Sequence, residues 1–104
     1  MKRTSRAERD LQDFEDIFWA LSHASRRHAL VVLNARGGRM TAGDIAKRFS
    51  CSWPTMTRHL KVLEKAGLVS LRKEGREIHY RLDHARLRRV QDWLQWFHKE
   101  GKRE

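Results

Sequence analysis

The sequence predicts a mainly α fold with one small β-hairpin (α+β), on three observations. Apolar residues recur at helical spacing in separate stretches, and serine, threonine, aspartate or glycine punctuates their ends. Between residues 69 and 82 the period falls to two on both sides of a glycine, as in a hairpin. No linker, internal repeat or low-complexity tract breaks the 104 residues, so they form one domain with a modest core.

The elements follow in order. Residues 1–12 are polar, mixed in charge and without an apolar face, which predicts a flexible basic arm ahead of a domain spanning 13–98. Phe14, Ile17, Phe18 and Leu21 then mark a first helix. Ser25 is placed to cap a second, with Leu30 and Leu33 inward and Gly37-Gly38 at its end. Thr41 caps a third helix running to Phe49, with Asp44 favoured in its first turn by the helix dipole and Ile45, Ala46 and Phe49 inward.

The fourth helix, residues 52–66, is the most legible. Ser52 is its N-cap, and Pro54 removes an amide that had no intrahelical partner. Met56, Leu60 and Leu63 form its apolar stripe; Gly67 closes it, with Leu68 placed to touch Leu63. Val69 and Leu71 alternate with Ser70 and Arg72, then Ile78, Tyr80 and Leu82 with His79 and Arg81, around a tip at 73–77. Asp83 caps a last helix bearing Leu87, Val90, Leu94 and Phe97, widened by Trp93 and Trp96, before a polar tail at 99–104.

Charge narrows the function. Lys and Arg number 23 against 13 Asp and Glu, a net +10 that suits a polyanion, because each neutralised phosphate releases counterions. The longest apolar run, residues 29–33, is far short of the roughly 20 residues of a membrane span. With no signal-peptide pattern, the cytoplasm is the expected location, and no membrane partner is expected. No glycine-rich phosphate loop, nucleophile elbow or acid pair in an apolar context suggests an enzyme, and no cofactor is implied. Cys51 is the only cysteine, which excludes an internal disulfide; a buried or neutral thiol is expected there rather than a redox switch.

A basic protein with two short helices joined by a turn is expected to read double-stranded DNA. At about 100° per residue, Pro54, Thr57, Arg58 and Lys61 lie opposite the apolar stripe. Trp53 either flanks these readers or packs back on Phe49. His59, beside the stripe, suits a phosphate contact or a structural role better than base reading. The candidate DNA contacts are thus Ser52, Trp53, Thr55, Thr57, Arg58, His59 and Lys61, with Arg72, Lys73 and Arg76 on the hairpin as a wing. A nonspecific nucleoid-type binder is the nearest rival; a protein-docking module would not need the basic excess. The aromatic last helix serves either a generous core or a subunit interface. Aromatic enrichment, and the two-fold symmetry of palindromic sites, favour a homodimer seam of Phe14, Ile17, Phe18, Leu87, Val90, Trp93, Leu94 and Phe97.

The strings ALSHASRRHALVVL, MTAGDIAKRF, SWPTMTRHLKVLEKAGLV and GREIHYRL, in this order, resemble the ArsR family of bacterial winged-helix repressors over roughly residues 13–97. The resemblance implies a winged helix-turn-helix homodimer, built from the first and last helices, that represses its own or an adjacent operon from an imperfect palindrome. The family's metal sites do not carry over. Its usual cysteine pair would fall near Thr41 and Gly43, and the best register of its last-helix site gives Leu82, His84, Gln95 and His98. His84 and His98 would lie roughly 21 Å apart along one helix, so only an inter-subunit site could join them. Two imidazoles without carboxylate support make a poor zinc site, so no metal is expected and the residues name no other effector.

Overall fold

The computed structural model describes residues 5–102, with side chains to residue 98. The elements are α1 (Arg6–Leu21), α2 (Ala24–Ala35), β1 (Arg39–Thr41), α3 (Ala42–Arg48), α4 (Trp53–Lys65), β2 (Val69–Glu74), β3 (Glu77–Leu82) and α5 (His84–Lys102). The strands form one antiparallel sheet in the order β1-β3-β2.

α1 starts well before Asp13. The Ser5 hydroxyl accepts the Glu8 N–H at 3.1 Å while the Glu8 carboxylate accepts the Ser5 N–H at 2.9 Å. This capping box satisfies two otherwise orphaned donors, so residues 6–12 are helix rather than arm. The expected arm at residues 1–4 lies outside the described residues. At the other terminus α5 carries the chain as helix through Lys102, so most of the expected polar tail continues that helix.

The cap of α2 is His23, not Ser25: its Nδ1 accepts the Ser25 N–H at 3.1 Å. The helix ends in a Schellman motif, with the Gly38 N–H on the Leu33 carbonyl at 2.7 Å and both glycines at positive φ. α4 ends the same way, and here the expectation is met in full. Gly67 takes φ +79°, and the Leu68 N–H reaches the Leu63 carbonyl at 3.0 Å, both leucine side chains being completely buried. In α3 Ile45 is buried and Phe49 half-buried, but Ala46 points to solvent.

β1 escapes sequence reading because three residues are too short to show alternation. It pairs Met40 with Tyr80 across β3, and both are buried. The hairpin tip is tighter than residues 73–77, because Lys73, Glu74 and Glu77 all pair. Gly75 at φ +63° followed by Arg76 without a positive φ is the pattern of a type II′ turn, whose twist suits a two-residue hairpin. Val69, Tyr80 and Leu82 seal the base of the sheet, whereas Leu71 and Ile78 project beyond the core.

The core gathers Ile17 and Ala20 of α1, Leu30 and Leu33 of α2, Ile45 of α3, Met56, Leu60 and Leu63 of α4, and the sheet base. Ile17 is wholly buried within the protomer, which removes it from the expected subunit seam. Leu87 and Val90 are half-buried against the core edge and hold α5 to its own chain, with part of each side chain still exposed. Beyond Val90, α5 turns its large apolar side chains outward.

Candidate nucleic-acid interface

α4 presents a charged face because its opposite face is fixed. Met56, Leu60 and Leu63 are at most 1% exposed, which locks the rotation of the helix and leaves Arg58, Lys61 and Lys65 in solvent. The Ser52 hydroxyl donates to Thr55 Oγ1 at 3.0 Å and accepts the Thr55 N–H at 3.4 Å, so these two side chains hold the start of the helix. Trp53 is exposed, and the aromatic partner of Phe49 is His28, their ring centroids 5.1 Å apart. Lys47 and Arg48 are exposed on the last turn of α3, two further cations that sequence reading did not select.

Two expected readers are altered. Thr57 is half-buried, and its Oγ1 is shut away from solvent without a hydrogen-bond partner, so the hydroxyl is not presented outward. Its helical angle places it at the edge of the polar face, where neighbouring packing decides the outcome. His59 is turned toward α1 and α2. Its ring lies 4.4 Å from that of His23, and its Nδ1 is 3.3 Å from Arg26 Nη1. Burial first, then the charges of His23, Arg26 and Arg58, hold the His59 imidazole below its ordinary pKa. His59 therefore acts as a neutral acceptor within the fold.

Arg26 is the buried hub of this contact. Its Nε donates to the Ala20 carbonyl at 2.7 Å and its Nη2 to the Trp19 carbonyl at 3.0 Å. Those carbonyls belong to the last turn of α1, where the dipole favours a cation, and the Trp19 carbonyl also accepts the Ser22 N–H and hydroxyl at 3.1 and 2.6 Å. α1 has no basic residue of its own in that turn, and Arg26 supplies one from α2. Nothing in the local sequence distinguishes Arg26 from Arg27 beside it.

The wing carries Arg72, Lys73 and Arg76 in solvent. On the outer sheet face, Arg39 reaches Glu74 at 3.2 Å, and His79 Nε2 lies 3.7 Å from the same carboxylate. Cys51 is exposed just before α4, so of the two expected states, a buried or a neutral thiol, burial is not the one found.

A second surface is apolar. Phe18 packs edge-on to Trp93 at 5.1 Å, Trp93 to Phe97 at 4.9 Å, and Phe14 stacks on Phe18 at 5.9 Å. An open trough of about 530 Å³ runs along Leu11, Phe14, Phe18 and Trp93. Leu94, Trp96 and Phe97 are each more than half exposed, as is Leu11. Leu11 and Trp96 extend this apolar surface beyond the residues read from the sequence, Leu11 having been hidden by the early start of α1. Contiguous apolar area on this scale marks an interaction surface.

The helix-turn-helix domain family matches residues 16–72. The transcriptional repressor SdpR of Bacillus subtilis is 37% identical over 86 residues, 83% of this chain and 93% of SdpR. The structure of an ArsR-like transcriptional regulator from Rhodococcus sp. RHA1 superposes with a TM-score of 0.74 at 31% identity, covering 88% of this chain and 84% of that one. The chain belongs to the ArsR family of winged-helix transcriptional regulators. The same fold occurs in a homodimeric winged helix-turn-helix DNA-binding domain from Mycobacterium bovis (TM-score 0.71, 23% identity, 99% and 94% coverage). Thr41 and Gly43 offer no thiol, and no group of three or more His, Cys, Asp or Glu side chains converges among the described residues. No helix among the described residues is long and apolar enough to cross a membrane.

Proposed function

We propose that this chain is a cytoplasmic homodimeric repressor that reads a palindromic operator with α4 and occludes its own or an adjacent promoter. The observation that carries the reading is the fixed rotation of α4. A sealed face of Met56, Leu60 and Leu63 holds Arg58 and Lys61 outward in one orientation, as base reading in a major groove requires. Arg58 is assigned to base edges, Lys61 and Trp53 to the flanks, and Ser52 and Thr55 to the backbone beside the helix N-terminus. Arg72, Lys73 and Arg76 on the wing, with Lys47 and Arg48, are assigned to phosphates. Two copies joined through Phe14, Phe18, Trp93, Leu94 and Phe97 would set two reading helices about 34–36 Å apart, one turn of DNA.

The net charge of +10 favours one rival, a nonspecific DNA binder. Footprinting on the DNA upstream of this protein's own coding sequence separates the two. A bounded palindromic footprint that survives competition with random DNA is expected. Uniform protection, with equal salt sensitivity on upstream and random DNA, would overturn the specific reading.

A further inference from the structure

We infer that Arg86 is a positioning residue that fixes the reading helix to the dimer-forming helices and so sets the half-site spacing this protein accepts. The inference rests on the proposed operator reading. Arg86 lies on α5, outside every surface assigned above. Its Nε donates to the carbonyl of Ala66, the C-cap of α4, at 2.8 Å. Its terminal nitrogens hold Asp13 of α1, with Nη2 3.2 Å from Oδ1 and Nη1 3.4 Å from Oδ2. Arg89 adds a contact to Asp13 at 3.0 Å and lies over the Phe14 ring at 4.9 Å. One planar guanidinium thus ties the end of the reading helix to both helices that carry the apolar seam.

The tie is built for rigidity. A helix C-terminus presents unpaired carbonyls and negative dipole charge, which a guanidinium satisfies in a fixed fork. Gly67 leaves the room: a Cβ there would stand 2.7 Å from Arg86 Nε. The Arg86 N–H is itself held by Asp83 Oδ1 at 3.0 Å, and the Asp83 N–H by the Leu68 carbonyl at 2.9 Å. Core packing fixes the rotation of α4, and Arg86 with this short loop adds the polar tie at its C-terminal end.

Its leverage follows from distance. Reading helices about 34–36 Å apart stand roughly 17 Å from the two-fold axis. The start of α4 at Trp53 stands roughly 20 Å from the strut at Ala66, so a rotation of about 10° there would displace it by about 3 Å, close to the 3.4 Å rise of one base pair. A loosened strut should leave base contacts intact within a half-site while blurring the separation between half-sites.

The test selects a palindrome from a random-sequence library with the wild-type protein, then varies its central spacer by one base pair either way. Wild type should prefer its own spacing. Arg86→Gln should retain the dimer and the preferred half-site sequence but lose about tenfold of the spacing preference. Asp13→Asn, which keeps shape and removes the charge, should lose part of it, and this variant decides the matter if Arg86→Gln fails to fold. Unchanged spacing preference in a folded, dimeric variant overturns the inference. So does an equal loss on all spacers in step with a lower Tm, which is what a merely structural tie gives. A wild-type protein that selects no palindrome overturns instead the operator reading beneath it.

Discussion

Arg26 Nη1 lies 3.3 Å from His59 Nδ1, which joins the buried cap of α1 to the flank of the reading helix. A guanidinium can only donate, so His59 Nδ1 must accept and its proton must sit on Nε2. Protonating Nδ1 would remove the acceptor and set an imidazolium against Arg26, Arg58 and the His23 ring.

The pH dependence has a definite sign. The folded pKa of His59 lies below its ordinary 6.5, so the fold favours the neutral ring. That contribution is complete above the unfolded pKa and is lost as pH falls through the folded value. Between about pH 7 and pH 5 wild type should lose more stability than His59→Gln, whose amide carbonyl can still accept from Arg26. Urea unfolding at both pH values is the check. Parallel losses in the two proteins would show that His59 does not titrate against the fold.

Thr57 carries a shielded, unpaired hydroxyl, and leaving such a group unmet costs about 1–3 kcal/mol. Thr57→Val keeps the branched shape without the hydroxyl and should raise stability by about 1 kcal/mol. Operator affinity should stay within twofold. A large loss of affinity with no gain in Tm would mean that the hydroxyl swings out to the DNA.

Arg58→Ala should cost about 1–3 kcal/mol on the operator, the value of a bidentate contact to guanine, and much less on scrambled DNA. Titration of both duplexes at one salt concentration gives the answer. Equal losses would make Arg58 a phosphate contact.

For the wing, log K should fall by about 0.9 per phosphate contact for each decade of salt. Neutralising Arg72, Lys73 or Arg76 singly should reduce that slope and leave the preferred sequence unchanged. Zinc or a chelator should not move operator affinity. A tenfold response to metal would revive the inter-subunit pairing of His84 with His98.

Leu94 is 53% exposed in the protomer, so Leu94→Asp places a charge where a partner would bury it without disturbing the core. Sedimentation should show a folded monomer with weakened operator binding. A folded dimer would place the seam elsewhere.

Sequence by itself determined the elements whose signals are local. The α4 stripe, its Ser52 cap and its Gly67 ending are set between residues 52 and 67, and the hairpin by alternation around Gly75. The capping box of Ser5 and Glu8 was equally local, and the polar composition of the arm masked it. Tertiary structure alone decided which apolar residues of α1 and α5 belong to the core. Ile17 and Phe18 are adjacent on one stripe, yet only the angle at which α1 packs buries the first fully and leaves the second partly exposed. It also decided the work of the arginines. Arg26, Arg86 and Arg89 look in sequence like any of the chain's basic residues; their partners include carbonyls and carboxylates up to 79 positions away. A cation's role follows from what the fold brings within 3 Å or so of it, and residue spacing does not encode that.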